Sequence, residues 1–168
     1  MSLKVEKGTD NKTLRTPSKE IAGATAELKN FAMDMIKTMD EERGVGLASP
    51  QVGRNIRMIV CKLNPGEKNE IILPMLNPEI IEISDATEIG EEGCLSIPGV
   101  WGQVERASKI IVRYKNLKNQ EQALELVHFN ARIIQHEIDH LDGVLFIDRA
   151  LSLKEDKGKK RKKEENQI

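Results

Sequence analysis

His136-Glu137-Ile138-Asp139-His140 sets two imidazoles four residues apart, with a carboxylate beside the first. On a helix, residues i and i+4 share a face about 6 Å apart along the axis, so both rings reach one divalent ion. Glu137 then projects near the open side of that ion, where it can hydrogen-bond a water without ligating. A metal-assisted hydrolase needs this arrangement. Two histidines require at least one further ligand, and a catalytic centre keeps another position for water. Cys94 is the leading candidate. Its surroundings, Glu91-Glu92-Gly93-Cys94-Leu95-Ser96-Ile97-Pro98-Gly99, read as a tight irregular segment between strands, where a thiolate can face a cleft. Asp142 and Glu125 are alternatives, although both fit ordinary surface carboxylates. His128 would sit about 12 Å up the helix axis from His136, too far to share the ion, and reads as a strand-end or capping residue. Cys61 reads as core.

The elements that must position these groups are legible from periodicity. Residues 24–42 repeat Leu28, Phe31, Ala32, Met35, Ile36 and Met39 at helical spacing, which predicts an amphipathic helix. A glycine- and proline-punctuated loop, Gly44 to Gln51, leads into a buried strand, Ile56–Cys61. Further strands are expected at Ile71–Leu73, Glu79–Ile83, Lys109–Tyr114 and Gln122–Val127, the last two joined by a polar turn. Phe129, Ile133, His136 and His140 share one stripe, so residues 129–141 should form a helix facing the strands, stopped at Gly143. The fold class expected is α+β: mixed or antiparallel strands packed around a central helix carrying the His-Glu-x-x-His motif.

A chain of 168 residues can hold one real core and needs no staples. Two cysteines make no disulfide framework, and no apolar leader or membrane-length run appears, so a cytoplasmic location and no membrane partner are expected. Residues 154–168 carry 7 of the 26 basic and 4 of the 27 acidic side chains, including Lys159-Lys160-Arg161-Lys162-Lys163. One domain over residues 1–153 and a basic, flexible tail over 154–168 are therefore expected. The tail suits a weak electrostatic contact with a ribosomal surface. No specific DNA partner is expected.

Three separated segments together resemble peptide deformylases of the bacterial type. The pattern G-x-G-L-A-A-x-Q matches Gly44 to Gln51, E-G-C-L-S matches Glu92 to Ser96, and Q-H-E-x-D-H-L-x-G matches Gln135 to Gly143. Leu14-Arg15 and Val144 to Ile147 resemble the family's flanks, and Leu95 is the residue expected of the bacterial type. Two departures stand out. Ser49 replaces the second alanine of the first motif, adding a hydroxyl near the oxyanion side, and Gly8 to Lys12 lacks the usual proline-containing opening.

The resemblance implies one divalent ion per chain held by Cys94, His136 and His140, with water in the fourth position. Fe(II) is expected physiologically, and Zn(II), Ni(II) or Co(II) can substitute. Glu137 would move the proton, while the Gln51 side-chain amide and the Leu95 backbone N–H would stabilise an oxyanion. Backbone at Val45, Gly46 and Gly93 would pair with the substrate like a strand, and the methionine side chain would enter an apolar pocket beside Ile133. The implied reaction is removal of the formyl group from N-formylmethionyl peptides and nascent chains, releasing formate. Three rivals stand: a zinc endopeptidase sharing the helix motif, a binding module whose metal site is closed by a fourth protein ligand, and a deformylase-like fold whose natural substrate is not a nascent chain, for which Ser49 and the unusual N-terminus leave room.

Overall fold

The structure, a computed structural model, describes residues 1–156 and 168. Thr25 caps the long helix α2 (Ala26–Glu41) by accepting from the Leu28 N–H, and α2 buries Leu28, Phe31, Ala32, Met35 and Met39. That is the stripe predicted, and the cap satisfies one of the helix's four orphan donors. A short helix, α1 (Lys12–Arg15), precedes it and is capped by the Asn11 side chain.

Seven strands follow: β1 (Gly46–Ala48), β2 (Met58–Leu63), β3 (Ile71–Ile83), β4 (Thr87–Cys94), β5 (Ile97–Ala107), β6 (Lys109–Lys115) and β7 (Glu121–Val127). Then come α3 (His128–Leu141), α4 (Phe146–Arg149) and β8 (Ser152–Glu155). One sheet has the order β1-β2-β3-β6-β7 and the other β4-β5-β8, and every strand pair in both is antiparallel. A mixed α+β architecture with antiparallel sheets is thus present; among the described residues, the one parallel bridge joins Lys19 and Ile56.

Several expectations are corrected. The two short strands expected at 71–73 and 79–83 are one 13-residue strand. Pro74 pairs only with Val60 of β2, because β6 joins from Leu76 onward, and Pro78 falls in the bulge between Leu76 and Glu79. The prolines therefore never face a ladder that needs their missing N–H. The tight segment around Cys94 is the end of β4, turning at once into β5 with Cys94 opposite Ile97, and the irregularity expected there is a register shift between Gly93 and Cys94. Phe129 does not face the strands; it is 39% exposed in the first turn of α3. Lys154 and Glu155, the first residues of the expected tail, pair with Trp101 and Val100 of β5. Their side chains are exposed, but the backbone completes the second sheet. The basic run Lys159 to Lys163, and the ribosome contact expected of it, lie outside the described residues. Ile168 is buried in the same apolar cluster as Val45, Ile133 and Ile134, unlike the solvated end expected.

All residues of α3 from Ala131 to Leu141 are buried, since it packs against β1, β2, β5 and β7. Its apolar residues Ile133, Ile134, Ile138 and Leu141 join Ile59, Cys61, Ile110 and Val112 of the larger sheet. Each such side chain contributes about 1.5–3 kcal/mol by leaving water. Gly143 follows α3 with φ 75°, and a Cβ there would lie 2.6 Å from the Arg15 carbonyl oxygen. This is the predicted stop, with close packing added. Gly66 has φ 78° but open space around it. Gly143→Ala should therefore cost more than about 2 kcal/mol of unfolding free energy, and Gly66→Ala only about 1 kcal/mol. Urea titration of both variants at equal metal content checks this, and equal losses would contradict it.

Candidate metal centre

β4 ends in Cys94 and α3 carries His136 and His140, so the packing of α3 against strands of both sheets brings the three side chains together. Their ligand atoms lie within 4.8 Å of one another, and all three residues are buried. Cys94 Sγ stands 3.3 Å from His140 Nε2. The two rings meet edge to face with centroids 5.0 Å apart, and Phe146 stacks on His136.

Among the described residues, His136 Nε2, His140 Nδ1 and both carboxylate oxygens of Glu137 are buried without a hydrogen-bond partner. Buried polar atoms ordinarily find partners, because leaving one bare costs about 1–3 kcal/mol. A soft thiolate, two imidazoles and a bare ring nitrogen fit a transition-metal ion.

The other candidates fall away. Asp142 pairs with Arg57 at 2.7 Å and Glu125 with Lys109 at 3.3 Å. His128 is neither strand end nor cap: it opens α3 at φ 52°, after Val127 as the cap, with its Nδ1 2.6 Å from Glu88 on the surface. Cys61 is fully buried core.

Gln51 sits in a 3-10 turn (Ser49–Val52) after β1. Its Oε1 accepts from the Ala48 N–H at 2.8 Å, which turns Nε2 toward Ser96 Oγ at 3.2 Å and Cys94 Sγ at 3.5 Å. The amide's donor end is thereby aimed at the centre. The Ser49 hydroxyl donates instead to the Ile56 carbonyl, away from the oxyanion side where it was expected. The N-terminal segment braces both loops: Glu6 N–H donates to the Gln51 carbonyl and Gly8 N–H to the Ser96 carbonyl.

Two glycines are required by space. A Cβ on Gly46 would collide with the Glu137 carboxylate, 2.7 Å from its Cδ, and one on Gly93 would lie 2.8 Å from the Trp101 ring. Val45 and Ile133 are buried in one apolar cluster, and Leu95 joins the cluster of α2.

Glu92, to which the motif Glu92 to Ser96 assigns no role by itself, is the group beneath the centre. Its Oε2 accepts from His136 Nδ1 at 2.9 Å and from Arg106 at 3.0 Å, while Oε1 accepts from Arg106 at 2.8 Å and Arg132 at 3.0 Å. Burial alone would raise its pKa, but the His136 and Arg106 bonds outweigh burial and hold it well below the usual carboxylate range. An ionised Glu92 can only accept, so the proton of His136 sits on Nδ1 and the lone pair on Nε2. Spacing held a signal: Glu92 is two residues before Cys94, on the same face of a strand.

Burial pushes the Cys94 thiol up to about 12, raises Glu137 well above the carboxylate range, and, with the positive charge of Arg106, lowers His140. Glu137 also feels Glu92, while Arg106 opposes the shift.

The description "Polypeptide deformylase" belongs to the family whose model matches residues 4–156. This chain is a member of that family. It is 46% identical over 140 residues to a peptide deformylase of Desulforudis audaxviator, covering 83% of this chain and 88% of that one. The solved structure of peptide deformylase from Thermotoga maritima superposes with a TM-score of 0.84 at 39% identity, covering 90% of this chain and 99% of that chain. A peptide deformylase from Synechococcus elongatus in complex with actinonin gives 0.82 at 39% identity, covering 89% and 79%. The deformylase family is one of metallohydrolases, which the Cys94, His136 and His140 cluster matches.

Because a ligating thiol must lose its proton, metal uptake by this deformylase-family chain should release at least one proton near pH 7. Apparent affinity should then rise about tenfold per pH unit between pH 7 and 8. Calorimetry of Zn(II) uptake in buffers of different ionisation enthalpy checks the count, and uptake without proton release would contradict it.

Proposed function

We propose that this chain removes the formyl group from the N-terminal formylmethionine of newly made polypeptides in the cytoplasm, releasing formate. The observation that carries the reading is one buried spot where three ligand atoms, the bare carboxylate of Glu137 and the directed amide of Gln51 converge. A deformylase of Acinetobacter baumannii, 38% identical and solved with Met-Ala-Ser bound, superposes with a TM-score of 0.82, which supports a peptide beginning with methionine as product. No helix of the described residues is long and apolar enough to cross a membrane.

Cys94, His136 and His140 would hold the ion, and Fe(II) is the ion we assign, with Zn(II), Ni(II) or Co(II) as substitutes. When bound, the ion supplies Lewis acidity and lowers the pKa of a water at neutral pH. Glu137, raised in pKa by its dry setting, accepts the proton of the attacking water as its oxygen bonds to the formyl carbon. The same carboxyl returns the proton to the amine nitrogen as the C–N bond breaks, leaving formate and a free N-terminus. The Gln51 amide and the Leu95 N–H donate to the oxyanion formed between these steps.

Strand-like pairing would use the N–H of Val45 and backbone at Gly46 and Gly93, since the Val45 carbonyl is already held by the Lys62 N–H at 2.7 Å. The methionine side chain would take the apolar side lined by Val45 and Ile133. In this reading residues 1–156 are one catalytic domain, its strands packed around the helix that bears the motif. Against an endopeptidase stands the thiolate ligand; against a closed binding site stands the lack of a fourth His, Cys, Asp or Glu in the cluster among the described residues.

The test is formate release from a formyl-Met peptide by protein purified without oxygen and loaded with Fe(II), Ni(II) or Zn(II), beside an unformylated control. Formate with an intact control peptide is expected, with Fe(II) and Ni(II) above Zn(II). Cleavage of the control, or no formate from any metal-loaded form, would overturn the reading. Glu137→Gln should keep its metal and lose several orders of magnitude in kcat, because base and proton carrier vanish together. Gly46→Ala should displace that carboxylate and lower kcat by roughly 10–100-fold with the metal retained; metal analysis and steady-state kinetics separate these effects. Near-normal rates in either variant would contradict the role given to Glu137.

A further inference from the structure

We infer that Arg106 is a positioning residue of the metal centre, latching the strand that carries Cys94 to the helix that carries both histidines. Its side chain is 4% exposed and lies on β5, which supplies no ligand. Nε and Nη2 donate to the two oxygens of Glu92, at 2.8 and 3.0 Å, and Nη1 donates to Asp139 Oδ2 at 2.5 Å. Glu92 stands two residues before Cys94 on β4, and Asp139 stands between His136 and His140 on α3. One rigid guanidinium plane therefore fixes β4 against α3 at the turn that bears the ligands.

The neighbouring arginines act differently. Arg132, itself on α3, also ties Glu92 to that helix, but it reaches no second acid, and its other contacts are the carbonyls of Val104 and Glu88, one helical turn before the site. Gly90 leaves it room, since a Cβ there would lie 2.9 Å from the Arg132 Cζ. Arg149 grips Asp139 from the half-exposed side and does not touch Glu92. Among the described residues, Arg106 alone joins an acid on each ligand-bearing element.

A bound ion escapes when one ligand swings away, and Cys94, at the start of a hairpin turn, is the ligand whose element differs from the others'. Holding β4 to α3 keeps the thiol within reach of His140, so the latch governs how long an ion stays. Partners of ligating residues typically change metal affinity by about 10–100-fold when removed. The inference rests on Cys94, His136 and His140 as ligands and is independent of the substrate.

The test loads the full chain with Ni(II) without oxygen and follows the sulfur-to-nickel absorption during challenge with excess chelator. The variants are Glu92→Gln, Asp139→Asn, Arg106→Lys and, as a control on the same acid, Arg149→Met. Arg106→Lys cannot span both acids, and it should lose nickel about 10–100-fold faster with an unchanged wild-type-like spectrum before challenge. Asp139→Asn is isosteric and touches no ligand, so it should also speed loss, keeping the question answerable if Arg106→Lys does not fold. Combined with Glu92→Gln, either change should add less than its single effect, because both act through one latch. Wild-type loss rates in Arg106→Lys and Asp139→Asn, fully multiplicative effects, or equal acceleration by Arg149→Met would each overturn the latch. Absence of the sulfur-to-nickel band in the wild-type protein would instead remove the ligand assignment beneath it.

Discussion

A carboxylate with no solvent exposure is the constraint on which this molecule is organised. Glu92 keeps its charge at 0% side-chain exposure only because two guanidinium groups and an imidazole N–H occupy its oxygens. Replacing such buried networks with apolar residues often stabilises a protein, so stability is a poor account of its presence. What the network does is geometric. It joins β4, β5 and α3 at one point, and it hands His136 to the centre with its lone pair facing Cys94.

The rest of α3 follows the same logic. A helix enclosed from Ala131 to Leu141 must bond its polar side chains internally, and it does so for Arg132, Gln135 and Asp139. Gln135, for instance, makes a paired contact with both backbone groups of Ala107. The exceptions are the bare atoms of His136, Glu137 and His140, and they all belong to the motif that faces Cys94. The energy withheld from folding at those atoms is available to an ion and a reacting water. Small residues at Gly46 and Gly93 keep that space open against Glu137 and Trp101.

How much of this was legible depended on whether a feature is periodic. The stripes of α2 and α3, the i, i+4 histidines and the glycine stop at Gly143 repeat or end a period, and they were read from the chain directly. The glycine and proline around Cys94 make it the leading third ligand, but only the resemblance implies the full set, because nothing local says that residues 42 and 46 positions apart will meet. β3 was cut in two because Pro74 and Pro78 look like breakers until β6 is known to join only from Leu76. Phe129 shares the helical stripe of Ile133, but the first turn of α3 is exposed and burial begins at Ala131, a boundary that periodicity does not mark. Arg106 and Asp139 were invisible for a related reason: charged residues are surface residues by prior, and only the packing of three elements puts these two inside.

The central claim is a centre of one thiolate and two imidazoles with a position left open beside Glu137. X-ray absorption at the metal edge, on protein loaded with Ni(II) without oxygen, tests it most directly. The account predicts one sulfur, two imidazole nitrogens and a light solvent atom that a small inhibitor or formate displaces. A second sulfur, no sulfur, or a coordination shell that no added ligand perturbs would contradict it.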